Sequence, residues 1–211
     1  MRANISRGYL LRIGAIALIC AGGALWFYYD GAIGYPAQRE RALKYQELEE
    51  KDQLDEWPKV AKENGWPAQD PGEPKTEAEI AAQLVIGSLI APFGVLYIVI
   101  FFRHVGRWIE ADDDGLHTSA GQHVPYANIV RLEKKKWDAK GIARAYYEQD
   151  GRRGKVLLDD WKFDTEPTRA ILRQVESQIP EDRITGGPPE PPPKPSEDEA
   201  ADAEESERGE G

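Results

Sequence analysis

The chain has 211 residues, enough for one or two small domains, and a formal net charge of −10. Residues 31–79 and 180–211 hold the acidic excess, whereas residues 103–179 are nearly neutral, with 14 Lys and Arg against 13 acidic residues. This balance excludes a nucleic-acid partner, and the single cysteine, Cys20, excludes an intrachain disulfide and a cysteine-based metal site.

The first apolar segment, about residues 9–29, predicts a membrane-spanning helix. It also fits a secretory signal, because three arginines precede an apolar run that reaches the small residues 21–23. Two features favour an uncleaved anchor. The apolar run continues past the small residues, and residues 26–29 (WFYY) resemble an interfacial aromatic belt. Residues 1–30 are therefore predicted to form an N-terminal transmembrane anchor.

Residues 31–79 predict an acidic, largely helical loop. Residues 35–57 are rich in helix formers, and Pro58 ends the run. Trp57 and Trp66 each precede a proline, and two interpretations remain open for them. They fold back onto the loop or the membrane surface, or they form a patch that binds a partner protein, because tryptophan is a favoured interface anchor.

Residues 80–102 predict a second transmembrane helix. The segment holds 23 residues without a charge, about 34 Å of helix, and Pro92 with Gly94 predicts a kink within it. Arginines lie before the first span and after the second. The positive-inside rule therefore predicts an integral protein of a bacterial inner membrane, with both termini in the cytoplasm and the 31–79 loop on the outer side.

Residues 103–180 change to short alternating strands separated by turns, followed by an amphipathic helix. The predicted strands are 108–111, 116–119, 123–126, 129–132, 141–148 and 155–158. Asp150 and Gly151 predict a hairpin, and residues 165–178 predict a helix that covers the sheet. The fold class is thus a membrane protein of α+β type, with a small antiparallel, barrel-like β domain capped by a C-terminal helix.

The stretch that follows the second predicted span resembles the bacterial pleckstrin-homology-like (PH-like) domains. The positions that carry the resemblance are Asp112, Gly115, Leu116, Thr118, Gly121, Pro125, Tyr126 and Ile129. The likeness covers about residues 107–179 and implies a seven-strand barrel, although the sequence shows only five or six strand signals, so a more open barrel is expected. It implies a non-catalytic scaffold that binds lipid or protein near a membrane.

No residue set with the spacing of an active site appears, so we predict no enzyme, cofactor or metal. His117 and His123 with the nearby aspartates match no metal motif. The strong basic cluster is either a solvated turn or a surface for anionic lipid headgroups or a protein partner. Its residues are Lys134, Lys135, Lys136, Trp137 and Lys140, joined by Arg144, Arg152 and Arg153 from the adjoining hairpin.

The tail, residues 181–211, is Pro-rich and then acidic, and predicts disorder. Two functions follow as hypotheses. The first is a two-pass membrane protein that presents a cytoplasmic PH-like docking module for a protein or an anionic lipid. The alternative is an accessory subunit of a membrane enzyme or transporter that acts through its spans. The sequence does not specify the oligomeric state.

Overall fold

The computed structural model describes residues 1–191 and divides into two compact units. The helical unit comprises Leu11–Arg103. The β unit comprises Met1–Leu10 together with the described residues from His104 onward. Most of the predicted tail, residues 192–211, lies outside the described residues.

The chain contains two helices that are long and apolar enough to cross a membrane, by length and composition. Helix α1 (Arg7–Tyr29) continues through a π-helical turn, Asp30–Gly34, into helix α2 (Tyr35–Glu50). Pro36 has no N–H to donate within this helical path, and it lies just after the π-helical turn, where the backbone hydrogen-bond pattern changes. Helix α4 (Glu77–His104) contains the predicted second span. Anchor and loop helix are therefore one continuous helical path from Arg7 to Glu50.

The loop helix predicted for residues 35–57 is shorter than expected. It ends at Glu50 because Asp52 adopts a left-handed φ of 59°, and Gln53 N–H closes the end by donating to the Leu48 carbonyl, 2.8 Å away. A 3₁₀ turn, Leu54–Glu56, then leads into helix α3 (Trp57–Glu63). The chain thus turns back at residue 52, and the tryptophans lie on a separate element.

Within the helical unit, α1 and α4 pack through small residues. A Cβ atom added at Gly94 would lie 2.9 Å from the backbone nitrogen of Ala21, so no larger side chain fits there. Side chains along the two helices also bond to each other. The hydroxyls of Tyr28 and Ser88 are 2.9 Å apart, and the Gln83 amide donates to the Tyr35 hydroxyl at 3.2 Å. These polar groups are therefore satisfied inside the helical unit.

The β unit contains two sheets within the described residues. The first has the order β1-β2-β3-β4 and is antiparallel throughout. The second has the order β7-β6-β5-β8, in which only β8 pairs in parallel. The strands are β1 (Arg2–Asn4), β2 (Trp108–Ala111), β3 (Gly115–Thr118), β4 (His123–Pro125), β5 (Ile129–Lys136), β6 (Ile142–Gln149), β7 (Arg152–Asp159) and β8 (Ile184–Thr185).

One core joins both sheets and the C-terminal helix. Helix α6 (Thr165–Gln178) buries Ile171, Leu172 and Val175 against side chains such as Leu116 and Leu132 from the two sheets. A short helix, α5 (Trp137–Lys140), connects β5 to β6. The antiparallel strands and covering helix predicted from the sequence are confirmed, but the extra strands β1 and β8 were not predicted.

Strand β1 ties the first residues of the chain into the sheet. Arg2 lies opposite Glu110, and Asn4 lies opposite Trp108. Ala3 is fully buried in the core, and the Met1 ammonium donates to the Ala111 carbonyl oxygen at 2.5 Å. The N-terminal residues therefore belong to the β unit as well as leading into α1.

Candidate binding surfaces

Lys134 is not part of an exposed basic surface, contrary to our prediction. Its side chain is only 2% exposed, and its ammonium lies 2.7 Å from a carboxylate oxygen of Glu176 on α6. It also contacts Glu190, at 3.4 Å, and donates to the Pro188 carbonyl. Lys134 lies on the same inward face of β5 as the buried Leu132, so strand alternation turns it into the core.

The other lysines of the cluster are exposed at one end of the second sheet. Lys135, Lys136 and Lys140 all lie at the end where β5 passes through α5 into β6, and we call these three residues the basic end. Trp137 is buried in the core at this point and is not available to insert into a membrane. The basic end therefore presents three cations without an exposed aromatic residue of its own.

The predicted arginines lie elsewhere on the sheet. Arg152 pairs with Gln149 at the hairpin end of β6, whereas Lys136 pairs with Ile142 at the other end, about 23 Å away at about 3.3 Å per residue. Arg153 forms an ion pair with Glu148 at 3.2 Å. Arg144, in mid-strand, forms one with Glu133 at 3.4 Å. The structure thus divides the predicted cluster and neutralises part of it.

The basic end borders an open cleft of about 870 Å³. Lys140 and Asp138 from α5 line one part of the cleft, and Asp160, Trp161 and Lys162 from the turn after β7 line another. Arg169 reaches the cleft from α6 and forms an ion pair with Asp160 at 3.3 Å. We did not predict Trp161 or Arg169 as site residues, because they are 21 and 29 positions beyond Lys140 in the sequence.

The turn after β7 also connects the cleft with the start of α1. The N–H of Ser6 donates to the Lys162 carbonyl at 2.8 Å, and Ile5 forms a bridge with Phe163. Because α1 begins at Arg7, the cleft and the basic end belong to the end of the β unit from which the first apolar helix leaves.

Comparison with known proteins finds no matching family model, curated protein or solved structure. The PH-like resemblance therefore stays a prediction, based on the positions given above. Any assignment of function rests on the geometry of the two units.

The loop tryptophans form a small core of their own. Trp57 is buried beside Leu48 and Ala61, and its indole N–H donates to the Ala68 carbonyl at 3.0 Å. Trp66 stacks on Trp57 with 6.0 Å between ring centroids. This arrangement favours the interpretation in which the loop folds back on itself, because a buried indole is not available as an anchor for a partner.

His117 and His123 stack face to face at 4.4 Å, and His117 Nε2 lies 2.9 Å from a carboxylate oxygen of Asp112. Burial alone would raise the pKa of Asp112, but N–H groups of Asp114 and Gly115 and the His117 ring outweigh it and lower that pKa. Among the described residues, no group of three or more His, Cys, Asp and Glu is arranged to hold a metal ion. The contact between His117 and Asp112 therefore joins strand β3 to the turn between β2 and β3.

Proposed function

We propose that this chain is a two-pass membrane protein whose β unit is a non-catalytic, PH-like docking module on the cytoplasmic side of a bacterial inner membrane. The module binds an anionic lipid surface through its basic end, and protein docking is the competing outcome of the tests below. In this proposal the helical unit supplies both spans, and residues 31–79 lie on the outer side.

The observation that carries the proposal is the pairing of β1 with β2. β1 directly precedes α1, and β2 directly follows α4. If each of these helices crosses a membrane once, the segments before and after them emerge on the same side. They belong to one sheet, with Ala3 opposite Ile109. A two-pass arrangement is thus compatible with the β unit, whereas a single crossing would separate β1 from β2.

The choice of an anionic lipid rests on charge and position. Lys135, Lys136 and Lys140 are exposed at the end of the β unit from which α1 leaves. Each basic residue near an anionic leaflet contributes about 1 kcal/mol of attraction. Two antiparallel-rich sheets with a covering C-terminal helix also support the PH-like interpretation.

Cysteine labelling in cells tests the spans and their orientation. In a Cys20→Ser background, Asn64→Cys places a thiol in the loop, and Ser177→Cys places one on the exposed face of helix α6. We expect a membrane-impermeant maleimide to label the first variant in intact cells and the second only after the inner membrane is permeabilised. Labelling of Ser177→Cys in intact cells, or no labelling of Asn64→Cys, would contradict the proposed topology.

Hydrogen exchange on the full chain in nanodiscs tests docking. We expect backbone amides of residues 135–140 to exchange several-fold more slowly in phosphatidylglycerol discs than in phosphatidylcholine discs, because headgroups cover the basic end. The triple variant Lys135→Glu, Lys136→Glu, Lys140→Glu should lose the difference. The control variant Arg152→Glu, Arg153→Glu, which reverses two charges at the opposite end of β6, should keep it.

If the native chain exchanges at the same rate in both discs, lipid docking is wrong. Protein docking then makes its own prediction for cross-linking in cells followed by purification. One partner should be recovered in near-equal amount with the native chain and lost with the triple lysine variant. It should also be lost with a chain truncated after Arg103, which removes most of the β unit.

A further inference from the structure

Trp161 presents an exposed indole on a fixed turn. Its side chain is 59% exposed, although it lies in the turn between β7 and α6 rather than in a long loop. The carboxylate of Asp159, which is buried, accepts the backbone N–H groups of Trp161 and Lys162 at 3.3 and 3.2 Å. Burying this indole would remove a large apolar area from water, so its exposure requires an explanation.

The turn lies beside both places where the β unit meets an apolar helix. The Tyr9 ring, in the first turns of α1, contacts Trp161 edge-on with 6.2 Å between centroids. The same ring contacts His104, the last residue of α4, at 5.4 Å. Within the β unit, Trp161 is therefore next to the residues through which the chain enters one span and leaves the other.

The residues next to these two junctions in the chain are apolar and cationic. Val105, directly after α4, is 50% exposed, and Arg7 and Arg107 are also exposed. We call Trp161, Val105, Arg7 and Arg107 the Trp161 rim. Tryptophan is enriched where a membrane meets water, and arginine is attracted to the phosphates of the headgroup layer. The rim thus carries residue types that are favoured in the headgroup layer, and it lies on the part of the β unit that adjoins both helix ends.

We propose that the Trp161 rim lies in the headgroup layer of the membrane and forms a further lipid contact of the β unit, in addition to the basic end and the two spans. The inference rests on the proposed function, because it requires α1 and α4 to cross the bilayer. It goes further by assigning a second lipid contact to Trp161 and Val105, which together with the basic end orients the β unit on the membrane. Lipid phosphates are the partners of Arg7 and Arg107.

Spin labels on the full chain in nanodiscs test this inference. Cys20→Ser removes the single native cysteine, and labels are then attached singly to Trp161→Cys, Val105→Cys, Leu18→Cys and Arg152→Cys. Leu18 is an exposed residue of α1 and reports on the span, whereas Arg152 is exposed at the distal hairpin and reports on water. Collision with oxygen, which concentrates in lipid, is compared with collision with a water-soluble nickel chelate.

We expect labels at positions 161 and 105 to collide several-fold less often with the nickel chelate than the label at position 152. The label at position 18 should report the most oxygen. If the rim labels match position 152 while position 18 reports lipid, the inference is wrong and the spans stand. If position 18 also reports water, the proposed function itself is wrong. The label at Val105 keeps the test valid if Trp161→Cys does not fold.

Discussion

Replacing Ala3 with aspartate is expected to unfold the β unit, whereas the same replacement at Asn4 should be tolerated. Ala3 is fully buried in the core and lies opposite Ile109 on β2. A carboxylate at this position would lie among the apolar side chains of the core, and an uncompensated buried charge costs about 3–5 kcal/mol. Asn4 is exposed, because successive strand residues point to opposite faces, so the change there should cost about 0.5 kcal/mol or less.

Limited proteolysis of the full chain in detergent micelles measures this difference. Cleavage within residues 104–191 should become much faster in Ala3→Asp and stay at the native rate in Asn4→Asp. Equal cleavage of the two variants would show that β1 is not part of the folded sheet. Strand β1 also disfavours a cleaved signal peptide. Cleavage after the small residues 21–23 would remove β1 and leave β2 without one of its two partners.

The fold was predictable where its signal is local. Alternation of apolar and polar residues located β2 to β7, and the Asp150-Gly151 turn located the hairpin between β6 and β7. The strands that were missed have three and two residues and lie in segments that were assigned to the transmembrane anchor and to the tail. Each is held by a distant partner: Arg2 pairs with Glu110, and Ile184 pairs with Leu132. Only the folded chain brings those residues together.

The same limit explains the errors at the candidate site. Residues 134–136 are three consecutive lysines. Because the predicted strand ended at Leu132, all three were assigned to a turn. β5 in fact continues to Lys136, which turns Lys134 inward. The carboxylates that pair with Lys134 belong to Glu176 on α6 and to Glu190 in the segment after β8, which are 42 and 56 positions away in the sequence. No local pattern distinguishes the buried lysine from its exposed neighbours.

The alternative that the chain is a subunit acting through its spans finds little support in the helical unit. This alternative is based on the polar residues Gln83 and Ser88 in the second predicted span and on the kink predicted at Pro92. The Ser88 hydroxyl bonds to Tyr28, and the Gln83 amide bonds to Tyr35. Because these groups are already satisfied, they do not require polar partners on another protein.

Replacing Lys134 with methionine is expected to destabilise the β unit by about 3–5 kcal/mol, because it leaves two carboxylates without their shared cation. The side chain of Glu176 is 5% exposed and that of Glu190 is 14% exposed, so water compensates little of the loss. Lys135→Met is the matched control. It removes the same charge from the next residue, which is exposed, and should change stability by about 0.5 kcal/mol or less.

Urea unfolding of the full chain in detergent micelles, followed by tryptophan fluorescence, measures both variants. A second substitution separates lost pairing from lost packing. Adding Glu176→Gln to Lys134→Met removes one unpaired charge and keeps an oxygen that accepts the Glu190 N–H, now 2.8 Å from Glu176. The double variant should therefore recover part of the loss. If it is no more stable than Lys134→Met alone, the ion pair does not hold residues 188–190 against α6, and packing of the lysine stem explains its burial.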